Sequence, residues 1–175
     1  FDKLSDYANT GNVVYKISGN LSGVKFSRKY TGIGIYDFYL HNNNIILICT
    51  DGILRYNPRK DTSDWIFKDE NILMIALYKF DQEEGFIYTC GTILPGTGKQ
   101  LLVVDINTAK ASRFDINGFP ESISLIENKG AIVEMNNSEI FIKSLGNGEF
   151  EFIAEEWCTS TVYYVYDIMG NVITE

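Results

Sequence analysis

A pattern of four short apolar strands recurs about every 40 residues along this chain of 175 residues. Four similar runs open the successive units, at Tyr36–Leu40, Met74–Tyr78, Ser122–Ile126 and Val162–Tyr166. The runs that close a unit begin at residues 24, 65, 112 and 150, with nearly the same spacing. Because two independent sets of strands repeat together, the spacing indicates a structural repeat, which restricts the fold more than any other feature.

Each of the first three units contains four predicted strands separated by turn-forming residues. The second strands are Ile45–Cys49, Phe86–Cys90 and Ala131–Glu134; the third are Ile53–Tyr56, Leu101–Asp105 and Glu139–Lys143; the fourth are Trp65–Lys68, Ser112–Asp115 and Phe150–Ile153. The turns carry Asp-Gly, Asn-Gly, Gly-Asn and Asn-Pro pairs, which suit tight reversals of the chain. An insertion at 92–99 accounts for the greater length of the second unit.

Convincing amphipathic helices are missing from the sequence, so an all-β fold is predicted. A four-stranded antiparallel unit of 40 to 45 residues is the blade of a β-propeller. One such blade has two apolar faces, and stacking blades face to face buries both. The alternative is a β-sandwich or Greek-key barrel of short strands.

Three segments resemble known propeller blades. Residues 45–58 (IILICTDGILRYNP) resemble the blades of sensor-type propellers. Residues 101–110 (LLVVDINTAK) and 118–121 (GFPE) are similar to blades of the YVTN/WD40-like superfamily, and residues 164–173 (YVYDIMGNVI) are similar to hairpins of bacterial six-bladed propellers. The resemblance implies antiparallel four-stranded blades and assigns no single family.

The repeat predicts one all-β domain over residues 1–175. Its blade units are 12–30 (partial, with strands Val13–Ile17 and Val24–Ser27), 33–69, 72–116, 121–154 and 161–175 (partial). Together these units amount to about four blades. We therefore expect either a four-bladed disc or, preferably, part of a larger propeller.

Charge and composition restrict the classes of partner. The formal net charge of −8 repels phosphate backbones, so we expect no nucleic-acid partner. No apolar run approaches the roughly 20 residues of a membrane-spanning helix, so we expect no membrane insertion. Cys49, Cys90 and Cys158 are predicted to be mostly buried free thiols, which weakly favours a reducing compartment and leaves the localisation open.

The sequence offers no complete catalytic, metal or cofactor motif. His41 is the only histidine and is predicted to be an exposed loop residue, so no zinc or catalytic His site is expected. Residues 96–99 (GTGK) lack the first glycine and the final Ser or Thr of a phosphate loop, and are predicted to form a hairpin loop. We therefore predict no cofactor, no metal and no catalytic residue.

Five residues are candidates for binding a partner. Tyr36 and Asp37 lie in a predicted inner strand, and inner strands line the channel of a propeller. Trp65 and Trp157 are candidate anchors for a peptide or sugar, with packing between blades as the alternative. Tyr164 lies in a strand with Tyr163 and Tyr166, and because successive side chains point to opposite faces, at least one tyrosine should reach a channel or surface.

These observations favour a non-catalytic propeller scaffold that displays loops to a protein or peptide, or to a small sugar. One alternative is a propeller hydrolase or lyase that uses channel carboxylates such as Asp37. Another is a structural module that completes a larger propeller with a second chain. A propeller fold by itself selects none of these functions.

Overall fold

The computed structural model describes residues 7–9, 13–20, 23–31, 34–96, 98–126, 130–136, 138–146, 149–156, 161–166 and 172–174. Within these ranges the chain forms antiparallel strands joined by turns and contains no helix. The predicted all-β fold is confirmed.

The strands form four sheets, and within each sheet their spatial order follows the order of the sequence. Sheet 1 contains β1 (Tyr7–Asn9), β2 (Val13–Asn20) and β3 (Gly23–Thr31). Sheet 2 contains β4 (Ile35–His41), β5 (Asn44–Cys49), β6 (Gly52–Asn57) and β7 (Thr62–Lys68). Sheet 3 contains β8 (Ile72–Asp81), β9 (Phe86–Ile93), β10 (Lys99–Asp105) and β11 (Lys110–Ile116). Sheet 4 contains β12 (Pro120–Ile126), β13 (Gly130–Met135), β14 (Ser138–Gly146), β15 (Glu149–Glu156), β16 (Thr161–Tyr166) and β17 (Val172–Thr174).

The chain divides into two compact units, Phe1–Glu70 and Asn71–Glu175. The first unit contains sheets 1 and 2, and the second contains sheets 3 and 4. The division coincides with the boundary that the sequence repeat places between the blade units 33–69 and 72–116.

The predicted four-stranded blade is confirmed in sheets 2 and 3 and in the first four strands of sheet 4. Their first strands begin at Ile35, Ile72 and Pro120, close to the predicted starts at Tyr36, Met74 and Ser122. Each later strand of these sheets overlaps its predicted run. Local alternation and turn residues were therefore sufficient to place these strands.

Sheet 4 differs from the sequence analysis at its outer edge. Residues 161–175 were expected to begin a further blade, but β16 pairs with β15, with Phe152 opposite Tyr164. β17 then pairs with β16, so sheet 4 has six strands. An unpaired edge strand offers a full row of backbone hydrogen-bonding groups, and the next antiparallel segment occupies that row.

The position of a strand within its sheet explains its residue pattern. β10 lies between two strands, and Leu101, Leu102, Val103 and Val104 are all buried, because both faces of the sheet are covered. β11 lies at the edge, and its burial alternates, with Phe114 and Ile116 buried and Arg113 and Asp115 exposed. The central strands therefore read as continuous apolar runs and the edge strand reads as an alternating one.

The core of the second unit lies between the facing sides of sheets 3 and 4. It is formed by Phe86, Tyr88, Cys90, Leu101, Val103, Phe114, Ile116, Ile123, Ala131, Val133, Met135, Ile140, Ile142, Phe150 and Phe152. The rings of Phe114 and Phe152 stack with centroids 5.6 Å apart. Face-to-face packing of consecutive four-stranded sheets is the arrangement of neighbouring propeller blades.

The first strands of consecutive sheets lie side by side within each unit. In the second unit β12 lies against β8 and β9, and in the first unit β1 lies against β4. Sheet 2 has a buried cluster on one face that contains Ile35, Ile45, Leu47, Cys49, Leu54 and Tyr56. The β4, β8 and β12 strands thus take the place of inner strands.

Cys49 and Cys90 are buried free thiols, as predicted, whereas Cys158 lies outside the described residues. Burial raises the pKa of the Cys90 thiol to about 12. Burial, followed by the negative charge of Asp51, raises the pKa of the Cys49 thiol to about 12. Both thiols are therefore protonated near neutral pH.

In the part of the chain that the structure describes, no helix is both long and apolar enough to cross a membrane.

Candidate functional site

The two ends of each blade differ in how their polar groups are used. We call the end that carries the turns β4–β5, β6–β7, β8–β9 and β10–β11 the hairpin end. The opposite end, where the chain passes from the fourth strand of one sheet to the first strand of the next, is called the crossover end. It also carries the turns between second and third strands.

Three turns at the hairpin end share one geometry. One side-chain oxygen accepts two backbone N–H groups in each turn: Asn57 from Arg59 and Lys60, Asp81 from Glu83 and Glu84, and Asp105 from Asn107 and Thr108. Four residues after each acceptor, the backbone has a positive φ, at Asp61 (53°), Gly85 (78°) and Ala109 (57°). These polar side chains therefore stabilise the turns themselves.

The first strands carry a recurring irregularity near the crossover end. The pairing register shifts between Ile35 and Asp37 in β4, between Met74 and Tyr78 in β8, and between Pro120 and Ser122 in β12. In β8 the Thr89 hydroxyl donates a hydrogen bond of 2.9 Å to the Leu77 carbonyl. Bulges redirect side chains and are enriched next to functional sites; in β4 and β12 the shift begins at the first residue of the strand, and in β8 it begins at the third.

The crossover end of the second unit presents three large apolar side chains to solvent. Leu73 is 46% exposed, Leu94 is 45% exposed and Phe119 is 58% exposed. Thr92 in β9 pairs with Leu73 of β8 on one side and with Lys99 of β10 on the other. Directly paired residues point to the same face, so all three share one face of sheet 3. Leu94 directly follows β9, and its N–H donates a 2.7 Å hydrogen bond to the Asn71 carbonyl next to the start of β8.

Phe119 joins this group from the neighbouring sheet. Its ring centroid lies 4.9 Å from Nζ of Lys99. The Phe119 N–H donates to Oδ1 of Asn136 at 3.2 Å, and the Asn136 N–H donates to the Phe119 carbonyl at 3.1 Å. Leu73, Leu94, Lys99 and Phe119 are together named the crossover patch.

The crossover patch continues the core between sheets 3 and 4 to the surface. Cys90 and Leu101 belong to that core and lie two residues from Thr92 and Lys99 along their strands. Lys99 is half-buried and, within the described ranges, forms no ion pair. The patch is therefore a group of apolar side chains that contains one ammonium group with no ion-pair partner among the described residues.

Trp65 is the central residue of β7, an edge strand of sheet 2 in the first unit. Its ring packs against the buried cluster of that sheet and lies 4.9 Å from Nζ of Lys68. The same ammonium lies 3.6 Å from Oδ2 of Asp51, whose other carboxylate oxygen has no hydrogen-bond partner among the described residues. Trp65 is thus half-buried against the cluster of its own sheet and beneath a lysine, and its role as an anchor for a peptide or sugar stays a prediction.

Tyr36 and Asp37, the inner-strand candidates, lie in the bulge of β4 and are both half-buried. Oδ1 of Asp37 accepts a 2.8 Å hydrogen bond from the Phe38 N–H. Since β5 and β6 separate β4 from β7, Tyr36 and Trp65 lie on opposite edges of sheet 2 and do not form one site.

The remaining two candidates cannot be placed with these. Trp157 lies outside the described residues. The backbone of Tyr164 lies in β16, which extends the outer edge of sheet 4 and is not an inner strand here.

His41 is the last residue of β4 and is half-buried; it was expected to be an exposed loop residue. Its Nε2 lies 2.8 Å from Nδ2 of Asn42, a contact at the hairpin end. Within the ranges given above, no group of three or more His, Cys, Asp or Glu residues is placed to hold a metal ion. β9 ends at Ile93 and β10 begins at Lys99; the Ile93 N–H donates to the Gly98 carbonyl, and a strand rather than a helix follows Gly98.

The sequence analysis missed the crossover patch. Its members are separated by up to 46 positions and come together only through the pairing of β8, β9 and β10 and the packing of sheet 4. One signal was present in the sequence: Phe119 is a large apolar residue in a Gly-Phe-Pro turn, where no strand face buries it.

No protein-family model matches the chain, and no curated protein matches its sequence. Among solved structures, the chain is similar to an oligogalacturonate lyase in complex with manganese, with a TM-score of 0.52 and 10% sequence identity. The likeness covers 93% of this chain and 58% of the lyase chain, so the chain spans a little over half the length of that structure. At this identity the likeness concerns the fold alone, and it agrees with the four-stranded antiparallel sheets: the chain has a propeller-like fold.

Proposed function

We propose that this chain is a non-catalytic binding scaffold that docks a protein or peptide partner on the crossover patch. The observation that carries the proposal is the exposed group of Leu73, Leu94 and Phe119 around Lys99. Single exposed apolar residues are common on protein surfaces, but a group of them with a polar rim is typical of interaction sites.

The construction of the patch supports a rigid docking surface. Leu73 and Lys99 are carried by paired strands, and Phe119 is held by two hydrogen bonds with Asn136. A rigid surface loses little conformational entropy on binding, and burying one large apolar side chain contributes about 1.5–3 kcal/mol.

The alternative of a hydrolase or lyase rests on Asp37 and on the likeness to a lyase. That likeness extends to the fold only, and the described contact of the Asp37 carboxylate is a hydrogen bond from the backbone N–H of its neighbour. The scaffold is therefore the function that the described geometry supports best.

A random peptide library displayed on phage tests the proposal. Selection on the chain should give peptides whose binding is weakened about tenfold or more by Phe119→Ser or Leu94→Ser, as expected for interface anchors. Leu125→Ser and Leu145→Ser are matched controls, because both leucines are comparably exposed (39% and 42%) but lie at the hairpin end of sheet 4.

Binding that the control variants weaken as much as the patch variants would overturn the proposal. So would the recovery of no peptide that depends on Phe119.

A further inference from the structure

The charge within the crossover patch restricts the chemistry of its partner. We propose that the patch binds a peptide segment in which an apolar side chain is adjacent to a carboxylate side chain, so that the carboxylate pairs with Lys99. This inference rests on the proposed binding function and adds which two side chains of the partner are recognised.

Lys99 is already partly withdrawn from water in the free chain. Its backbone lies between β9 and β11, it is half-buried, and its Nζ lies 4.9 Å from the centroid of the Phe119 ring. The neighbouring Gln100 is engaged elsewhere, since its Nε2 donates to Oδ1 of Asp115 at 2.8 Å. The described surroundings therefore offer the ammonium an aromatic face and no carboxylate.

Docking of an apolar group removes water from this ammonium. A side chain seated on the Phe119 ring lies next to the Lys99 ammonium, because that ammonium is 4.9 Å from the ring centroid. A charge that loses its water without gaining a partner is strongly unfavourable, whereas a carboxylate supplied at contact distance restores the balance. An apolar ligand without an anion would therefore bind weakly here.

Two acidic residues of sheet 4, Glu121 and Glu134, are exposed to water and form no ion pair with Lys99. Glu121 is exposed in the β12 bulge, and the Glu134 carboxylate accepts a 2.6 Å hydrogen bond from the Ser122 hydroxyl. The net charge of −8 repels an acidic ligand at long range, but salt screens that repulsion over about 8–10 Å. The ion pair between the ligand carboxylate and the Lys99 ammonium is screened much less. It therefore determines whether an acidic or a neutral ligand binds more tightly.

The apolar residues favour a peptide over a sugar. Sugars stack on flat aromatic faces and need convergent hydrogen-bond donors, whereas two of the three exposed apolar side chains are leucines. Aliphatic surfaces suit Leu, Ile or Phe side chains of a peptide. An acidic oligosaccharide is accordingly the competing ligand in the test.

The test uses those peptides from the library selection whose binding is weakened by Phe119→Ser. Each selected peptide is synthesised with its Asp or Glu and with the isosteric Asn or Gln, and both forms are titrated against the chain and its Lys99→Gln variant. We expect the amide form to bind about tenfold more weakly than the acid form to the unmodified chain. The two forms should bind equally to Lys99→Gln, and Glu121→Gln should preserve the preference for the acid form.

The outcomes separate the two proposals. Phe119-dependent peptides whose acid and amide forms bind equally would overturn the carboxylate inference and leave the scaffold proposal standing. A preference that persists in Lys99→Gln would also overturn it, as would Phe119-dependent binding of oligogalacturonate fragments without any peptide binding. Unchanged circular dichroism and melting of Lys99→Gln would show that a loss of preference does not reflect unfolding.

Discussion

The rings of Phe86 and Phe150 meet edge to face across sheets 3 and 4, with centroids 5.5 Å apart and planes at 77°. Phe150 is fully buried and Phe86 nearly so, and each belongs to a different sheet. This pair therefore joins sheets 3 and 4 within the core of the second unit, near its hairpin end.

Phe150→Ala should destabilise the second unit by about 3–5 kcal/mol, because it removes a buried ring and leaves a cavity between the sheets. Urea denaturation measures the change. Phe119→Ala is the matched control, since Phe119 is mostly exposed, and it should change the free energy of unfolding by less than about 0.5 kcal/mol. Equal effects of the two substitutions would contradict the described core.

Ala109→Gly should stabilise the chain by about 0.5–1 kcal/mol. Ala109 has a φ of 57°, a left-handed conformation that an L side chain adopts with strain and glycine adopts freely. Ala111→Gly, two residues further and within β11, should have the opposite sign, because glycine weakens a strand interior. Thermal melting of both variants provides the comparison, and stabilisation by neither or by both would refute the assigned turn.

Gly130→Ala should destabilise the chain by about 1–3 kcal/mol or prevent its folding. Gly130 has a φ of 120°, and a Cβ at this position would collide with the backbone carbonyl of Ile142 in the paired strand. Gly96→Ala is the matched control, since a Cβ there meets no atom closer than 3.8 Å. Similar melting temperatures for the two variants would rule out the close approach of β13 and β14.

The stability of the chain should decrease as the pH rises above about 9. The pKa values of the Cys49 and Cys90 thiols rise from 9.0 to about 12 on folding, so the unfolded chain releases these protons first. Stability from both thiols is therefore fully present below pH 9 and is lost as the pH rises towards 12. Burial, followed by the charges of Asp81 and Glu84, also raises the pKa of Tyr88, which adds to the decrease above pH 10.

Urea denaturation between pH 7 and pH 10.5 measures this slope. In the Cys49→Ala/Cys90→Ala variant the decrease should be shallower, although Tyr88 retains part of it. An unchanged slope would show that the two thiols do not ionise differently in the folded and unfolded chain.

The strands were predictable because their signals are local. The continuous apolar run at 45–49 reflects a strand that is buried on both faces, and the alternation at 112–116 reflects a strand that is buried on one face. The Asp-Gly and Asn-Pro pairs mark the turns. The pairing of β16 was not predictable in this way. A strand sequence does not specify which free edge it joins, and the edge of β15 is the first one that an antiparallel return reaches.

The crossover patch could not be predicted from the sequence for a related reason. Phe119 and Lys99 approach each other only because sheets 3 and 4 face one another, and the sequence contains no charge or motif that reports this packing. Trp65 was predicted to be a binding anchor because of its residue type alone. A tryptophan in an edge strand can be covered by its neighbours, as Lys68 covers Trp65 here.

The three matching turns at the hairpin end also bear on how such a repeat can be recognised. Their fifth position holds Asp61, Gly85 and Ala109, three unrelated residues in one left-handed conformation. A non-glycine residue in this conformation costs about 1 kcal/mol. A protein whose free energy of unfolding is about 5–15 kcal/mol remains folded at that cost. Residues of different types can therefore occupy the same position of a repeated turn, so the repeat is visible in the backbone torsions where the residue types no longer show it.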